Sequence, residues 1–234
     1  MFDFSDQVVL VTGAGSGIGK TTAEEFAAAG ATVIASDING EAAQATASAI
    51  EAAGGTAVAN TCDVADDDSV QAMIAMIRDQ FGKLDAAFNN AGIVQRFEHL
   101  HTKSVADFDK VIAVNLRGVF LCMKYEIPLM LEHGGGAIVN TSSTAGLVAV
   151  PGIVDYVASK HAVAGMTKAA AIEYATQGIR VNAVHPAGVE TPMIAGMDVS
   201  PEIAPLMESA SSPTPAGRMA QTTEIAQAVM WLCS

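Results

Sequence analysis

Val8-Val-Leu-Val-Thr12 runs straight into Gly13-Ala-Gly-Ser-Gly-Ile-Gly19, and the chain continues as Lys20-Thr-Thr-Ala-Glu-Glu-Phe26. A short β-branched run, a turn with glycine at every second position and an alanine-containing polar stretch spell strand, tight turn and helix. Glycines at 13, 15, 17 and 19 permit the tight turn and let backbone amides and the helix N-terminus approach a pyrophosphate. The spacing is GxxxGxG, from Gly13 through Gly17 to Gly19, and the GxGxxG form is absent. Alone such a turn is weak, because many α/β folds use one only to pack a helix against a strand. Its meaning is set by its surroundings.

Further strand-like runs fall at 32–37, 56–63, 84–89, 137–142 and 180–184. Helical stretches are expected at 17–29, 40–53, 66–80, 104–131, 154–176 and 222–233. This alternation is the signature of repeated βαβ units. It predicts an α/β fold with a doubly wound, mainly parallel sheet, helices on both faces and right-handed crossovers. Gly30, Gly54 and Gly178 sit where helices should stop, and Asp66 and Thr222 suit N-caps. No internal repeat or linker divides the chain, so 1–234 reads as one domain. From 189 to 217 the chain is rich in Pro, Met and Ser, with Pro192, Pro201, Pro205, Pro213 and Pro215 interrupting regular structure. A segment of that length without strong periodicity predicts a substrate-binding lid over the active site.

Half of the 234 residues are hydrophobic and only 16% are charged, which excludes disorder. The formal net charge of −13 gives a surface field that repels phosphate backbones and anionic lipid. Nucleic acid and membrane are therefore not expected as partners. Met1-Phe-Asp-Phe-Ser-Asp-Gln7 shows no signal-peptide pattern, and no apolar run reaches bilayer length. Cys62, Cys122 and Cys233 are odd in number and far apart, which suits buried thiols in a reducing compartment. The expectation is a cytoplasmic protein.

Asp37 ends the second strand, 18 residues after Gly19, near the spacing of a carboxylate that holds an adenosine ribose. The competing role is a cap on the turn Asp37-Ile-Asn-Gly40. A 2′-phosphate within about 4 Å of that carboxylate would be repelled by roughly 4 kcal/mol per unit charge at an effective dielectric of about 20. No arginine adjoins Asp37, and Ser16 in the turn is uncharged, so NAD is expected over NADP. The same text admits a rival. Ala14-Gly-Ser-Gly-Ile-Gly-Lys20-Thr21 resembles a Walker A loop with its first glycine replaced by alanine. An ATPase, however, has no use for the ribose carboxylate or for the residues considered next.

After the fifth strand the chain reads Thr141-Ser-Ser143 and then Asp155-Tyr156-Val-Ala-Ser-Lys160. Tyr156 and Lys160 are four apart and so share one helix face, a turn from each other. A tyrosine with a pKa near 10 is a poor proton partner at neutral pH, but a neighbouring ammonium stabilises its phenolate. Lowering that pKa by about three units takes roughly 4 kcal/mol, within reach of one close cation plus an oxidised nicotinamide. Ser143 would hydrogen-bond the substrate oxygen. A Tyr and Lys pair also occurs by chance on many helices; here it follows a glycine-turn fold, where the strand carboxyl ends gather ligands.

With these motifs together the chain resembles a short-chain dehydrogenase/reductase with a TGxxxGIG cofactor turn, over almost its whole length. The resemblance implies catalytic roles for Asn115, Ser143, Tyr156 and Lys160. Asn115, in Val-Asn-Leu-Arg-Gly, matches the residue that holds a water linking Lys160 to solvent. It implies cofactor contacts from Gly13, Ser16, Gly17, Ile18, Gly19 and Asp37. Further contacts are implied from Asp63 and Val64 at the adenine, from Asn90, Ala91 and Gly92 of the NNAG segment, and from Tyr156 and Lys160. Pro186, Gly188, Val189 and Thr191 complete the set, Thr191 matching the residue that binds the carboxamide. Asn90 and Asn115 also read as buried amides satisfying backbone groups. Two departures stand out. The family's Pro-Gly pair appears as Pro186-Ala187-Gly188, where a β-carbon would crowd the carboxamide or shift the turn. The family also continues past a helix like 222–233 into a last strand and a glycine pair. A truncation or a further tail after Ser234 is expected, since Trp231 and Leu232 would otherwise lack cover. The resemblance further implies dimers, commonly homotetramers, built on helices such as the one whose small stripe is Ala158, Ala162, Gly165 and Ala169.

His99, His101, His133, His161 and His185 show no metal-ligand spacing, so no metal is expected. No GxSxG elbow surrounds Ser142 or Ser143, which argues against hydrolysis. The combined expectation is an NAD(H)-dependent oxidoreductase moving hydride between nicotinamide and a secondary alcohol or ketone. Its substrate pocket is expected from Ser143, Val94, Gln95, Leu147, Ile153 and Met193, with Val148, Met197 and Arg96 nearby. A 3-oxoacyl-acyl-carrier-protein reductase is the alternative within the family, disfavoured because an acidic partner needs a basic docking patch. A dinucleotide-binding sensor without turnover is the alternative outside it, opposed by the intact Ser143, Tyr156 and Lys160.

Overall fold

The computed structural model describes residues 2–210 and 216–234, without the side chains of residues 209 and 210. Six parallel strands, β1 (Val8–Thr12), β2 (Thr32–Asp37), β3 (Thr56–Thr61), β4 (Ala86–Asn89), β5 (Gly136–Thr141) and β6 (Ile179–Val184), form one sheet in the order β3-β2-β1-β4-β5-β6. The strand order reverses direction between β1 and β4, the switch point where open α/β sheets bind ligands. The expected doubly wound sheet is the observed one.

Both faces of the sheet are buried, and the strand residues divide by parity. Val8 and Leu10 of β1 pack toward α3 (Asp67–Phe81), α5 (Gly118–Glu132) and α6 (Val154–Tyr174). Val9 and Val11 pack toward α1 (Gly17–Ala28), α2 (Gly40–Ala52) and α9 (Thr222–Cys233). The helix ends follow from local chemistry. Asp66 caps α3 by accepting the Ser69 amide at 2.7 Å, and Gly30, Gly54 and Gly178 take positive φ as expected. Thr222 is not the cap of α9. Gln221 takes that place in a reciprocal capping box with Glu224, and the Thr222 hydroxyl instead accepts from Thr21 at 2.9 Å.

The stretch expected as one helix over 104–131 is helical throughout but not uniform. α4 (Val105–Ile112) passes into a π-helical turn at Ala113–Arg117 and then into α5. The inserted turn carries Asn115 into the core, where it is fully buried. Such turns concentrate at functional sites and leave no mark on apolar periodicity. Within 189–217, α7 (Pro192–Ala195) and α8 (Ala204–Ala210) form short helices. A bridge joins Val199 to Phe97, and a second joins Val189 to Ala220. Pro213 and Pro215 lie outside the described residues. Among the described residues no helix is long and apolar enough to cross a membrane.

Candidate active site

The carboxyl ends of β1, β2, β4, β5 and β6 open into a cleft of about 320 Å³. At one end the glycine turn leads into α1, whose N-cap Ser16 makes no side-chain capping bond and whose first turn carries no acidic residue. The amides of the first turn of α1 are therefore not masked by a capping side chain, as an anion requires. A β-carbon at Gly19 would overlap the Gly13 carbonyl, so this position tolerates glycine alone for reasons of space. Asp37 takes the turn-capping role considered for it and also faces the cleft. Its Oδ2 accepts the Gly15 amide and its Oδ1 the Asn39 amide, each at 2.9 Å, and it also lines the cleft. A carboxylate has about four acceptor positions, so ribose hydroxyls can still be bound.

The Walker A alternative fails on geometry. Lys20 pairs with Glu24 on the exposed face of α1, and Thr21 bonds to Thr222 of α9. Neither residue lines the cleft.

At the centre, the Thr12 hydroxyl accepts the amides of Asn90 and Ala91, at 3.0 and 3.1 Å. The Asn90 side chain donates to the Thr12 carbonyl at 3.1 Å. Asn90 thus satisfies backbone groups and lines the cleft as well. Asn115 lies behind the lining. Its amide group donates to the Ile93 carbonyl and accepts the Ile93 amide, both at 2.8 Å, which fixes the chain just past Gly92.

α6 brings Tyr156 and Lys160 to the other end beside Ser143. The Lys160 ammonium is buried, donates to the Thr141 carbonyl at 2.8 Å and sits 5.4 Å from the Tyr156 ring centre. Burial depresses its pKa to about 8. Tyr156 moves upward, because burial of the phenol outweighs the opposing hydrogen bond from Ser143. The ammonium alone therefore does not give the lowered tyrosine expected from the spacing, since desolvation of both groups works against it. Ser143 accepts the Ala145 amide at 3.1 Å and faces the Pro186 carbonyl at 3.4 Å.

Gly13, Ser16, Gly17, Ile18, Asp37, Asn90, Ala91, Gly92, Ser143, Tyr156, Lys160, Pro186, Val189, Thr191 and Met193 all line this one cleft. Other expected residues do not. Asp63 turns back to accept the Ala65 amide, and Val64 is buried against Gly118. Gly19 packs against the Gly13 backbone, and Gly188 lies near the Met219 side chain. Leu147 is 59% exposed outside the lining, and Gln95 is half-buried outside it. Ile153 is buried in an apolar cluster with Phe97 and Ile203, against which Val94, Val150, Val199, Met207 and Tyr156 pack. Sequence reading missed Thr141, Ser142, Pro192 and Ile194 as lining residues, although the last three adjoin residues it named; Ala187, whose β-carbon it singled out, lines the cleft too. Phe97 and Ile203 were missed because nothing local marks two segments so far apart as one wall.

A family model described as enoyl-(acyl carrier protein) reductase matches residues 13–234. Cyclohexanol dehydrogenase of Acinetobacter sp. (strain SE19) is 47% identical over 99% of this chain and 89% of its own length. The crystal structure of levodione reductase superposes with a TM-score of 0.90 at 36% identity, covering 99% of this chain and 92% of that one. The 3-ketoacyl-(acyl-carrier-protein) reductase of Brucella melitensis, solved with NADH, superposes with a TM-score of 0.89 at 33% identity, covering 99% and 92%. This chain belongs to the short-chain dehydrogenase/reductase family. It is an oxidoreductase acting on an alcohol or ketone, and its family binds a nicotinamide dinucleotide.

Proposed function

We propose that this enzyme interconverts ring alcohols and their ketones, with NAD preferred over NADP. The observation that carries the reading is the placement of Tyr156 and Lys160, one helical turn apart, in the same cleft as the glycine turn and Asp37. Bound NAD supplies the acceptor or donor of hydride. The chain's own residues do the rest. Tyr156 exchanges the proton with the substrate oxygen, and Ser143 orients that oxygen by hydrogen bonding. Lys160 brings positive charge to the tyrosine and anchors the nicotinamide ribose. Asn115 supports the proton relay by holding the backbone at Ile93, next to Gly92 and Lys160.

The amides at the N-terminus of α1 would hold the pyrophosphate, and Asp37, whose carboxylate opposes a 2′-phosphate, would hold the adenosine ribose. Asp63 and Val64 would flank the adenine. Asn90 to Gly92, Pro186, Gly188, Val189 and Thr191 would border the nicotinamide half. Ring substrates are favoured because Phe97, Ile153 and Ile203 bury an apolar wall beside Tyr156, and because two relatives are named for cyclohexanol and levodione. The described residues of segment 189–217 would act as the lid of that pocket.

We also infer a homo-oligomer in the cytoplasm. Ala158, Gly165 and Ala169 of the small-residue stripe lie exposed on α6, and Ile172 on the same helix is 82% exposed. A second copy would cover that face. The three thiols are free and buried, as in a reducing compartment. A panel of cyclic and linear secondary alcohols, assayed by NADH absorbance with NADP and ATP as controls, tests the chemistry. NAD-linked turnover strongest on ring alcohols is the expected result; equal efficiency with NADP would refute the cofactor assignment. Light scattering at micromolar concentration tests the assembly, and a monomer would count against it.

A further inference from the structure

Beside Tyr156 lies a buried ionic cluster that the chemistry above leaves unused. The Lys103 side chain is 3% exposed, and its ammonium donates to the Arg96 carbonyl at 2.7 Å. The same nitrogen lies 3.3 Å from Asp155 Oδ2 and 3.8 Å from Glu98 Oε1. Asp155 is fully buried. Its Oδ1 accepts the backbone amide of Tyr156 at 2.9 Å, whereas Oδ2 has no aligned hydrogen bond among the described residues, only the ion pair. α6 starts without a side-chain cap at Ile153, so the Asp155 carboxylate is the side chain that meets an amide of its first turn.

Two segments meet at Lys103, and a third is tied to them through Phe97. Its own segment follows β4, and there the Glu98 amide donates to the Gly152 carbonyl at 3.0 Å, just before α6. The adjacent Phe97 donates to the Asp198 carbonyl at 2.8 Å and accepts the Ser200 amide at 2.9 Å, which ties in the lid. Phe97, Ile153 and Ile203, one from each segment, then bury their side chains together against Tyr156. Apolar packing alone tolerates shifts, but a buried carboxylate with a single compensating cation is costly to separate from it.

We propose that Lys103, with Asp155 and Glu98, is a positioning group for hydride transfer: it fixes the first turn of α6, hence Tyr156, and holds lid residues 198–203 against that helix. The proposal rests on Tyr156 being the proton-exchanging residue. Its test compares Lys103→Met, Asp155→Asn and the double variant with the parent enzyme, using NAD with cyclohexanol, NADH fluorescence titration and hydrogen exchange. In Lys103→Met, kcat should fall at least tenfold and KM for cyclohexanol should rise, with NADH affinity within twofold. Exchange should quicken in peptides covering 94–103 and 196–208 but not in those covering 8–20. The double variant, which removes both charges, should regain several-fold in kcat over Lys103→Met. Kinetics within twofold of the parent, unchanged exchange, or a double variant no better than the single would overturn the proposal. So would a uniform rise in exchange with a matching loss of NADH binding. Should Lys103→Met not fold, Asp155→Asn must show the same kinetic and exchange pattern, because it keeps an acceptor for the Tyr156 amide and unpairs only the charge. Tyr156→Phe, measured alongside, separates the two ideas. Turnover retained in that variant removes the tyrosine assignment, while exchange still reports on the lock.

Discussion

The Asp37 carboxylate accepts the Gly15 amide at 2.9 Å, so the end of β2 and the turn after β1 are joined by a side chain that also faces the cleft. A β-carbon on Gly15 would press on that carboxylate and on Ala42, which fixes glycine at this point of the turn.

Cofactor choice should therefore follow the charge at position 37. Asp37→Ser removes the repulsion of a 2′-phosphate, about 4 kcal/mol per unit charge at about 4 Å and an effective dielectric of about 20. The ratio of kcat/KM for NAD over NADP should fall more than tenfold. Some thermal stability should be lost too, since two backbone amides lose their acceptor. Steady-state kinetics with both dinucleotides reads the ratio, and an unchanged ratio would remove Asp37 from the selection.

Alcohol oxidation should rise as pH is raised above neutral. The phenolate form of Tyr156 takes the proton, and burial holds its pKa up, so the active form becomes more abundant as pH increases. Ketone reduction uses the neutral phenol and should not show that rise. Lys160→Met removes the buried cation 5.4 Å from the ring centre and should shift the oxidation limb to higher pH. Tyr156→Phe should cost about 10²–10⁴-fold in kcat while NADH still binds. The pH profiles of the three enzymes decide between these outcomes, and identical profiles for parent and Lys160→Met would exclude the electrostatic role.

Much of this site was legible in the sequence because its signals are local. The glycines and Asp37 belong to one βαβ unit, and Tyr156 and Lys160 to one helix, so periodicity and spacing suffice. Segments that meet only through the tertiary fold were not legible. Phe97, Ile153 and Ile203 are far apart in the chain, and Lys103 reads as an ordinary surface lysine until Asp155 is placed against it. The π turn around Asn115 was invisible for a related reason, since one inserted residue hardly alters an apolar pattern. The Thr222 cap failed by a single position, because Gln221 with Glu224 competes for the same amides.

Two glycines of the cofactor turn should respond differently to alanine. Gly17 has a φ of +52° but no clash, its added carbon making ordinary contact with Thr191 at 3.4 Å. Gly17→Ala thus carries only the left-handed backbone cost, roughly 1–2 kcal/mol. Gly19 has no such strain, yet its added carbon overlaps the Gly13 carbonyl and crowds the Asn90 amide nitrogen. Gly19→Ala must displace the turn itself. It should lose at least tenfold more NADH affinity than Gly17→Ala, as read by fluorescence titration; equal losses would mean that the turn yields easily.

Glu126 should make stability fall as pH rises. It is fully buried, and its Oε2 accepts from Asn89 at 3.0 Å. Asn89 also donates to Asn140, which in turn donates to Thr167. Glu126 Oε1 and Asn89 Oδ1 are two buried acceptors without a partner among the described residues. A protonated carboxyl can donate where a carboxylate cannot, and burial raises this pKa to about 8. The folded state then holds a proton that the unfolded chain releases near pH 4.3. The stabilisation is complete below that value and is lost as pH climbs toward 8, up to about 5 kcal/mol if the whole shift is expressed. Glu126→Gln keeps a donor and an acceptor but cannot ionise. Its melting temperature should vary less between pH 6 and 9 and should exceed that of the parent above pH 8. Parallel melting curves for the two proteins across that range would show that Glu126 is not the titrating group.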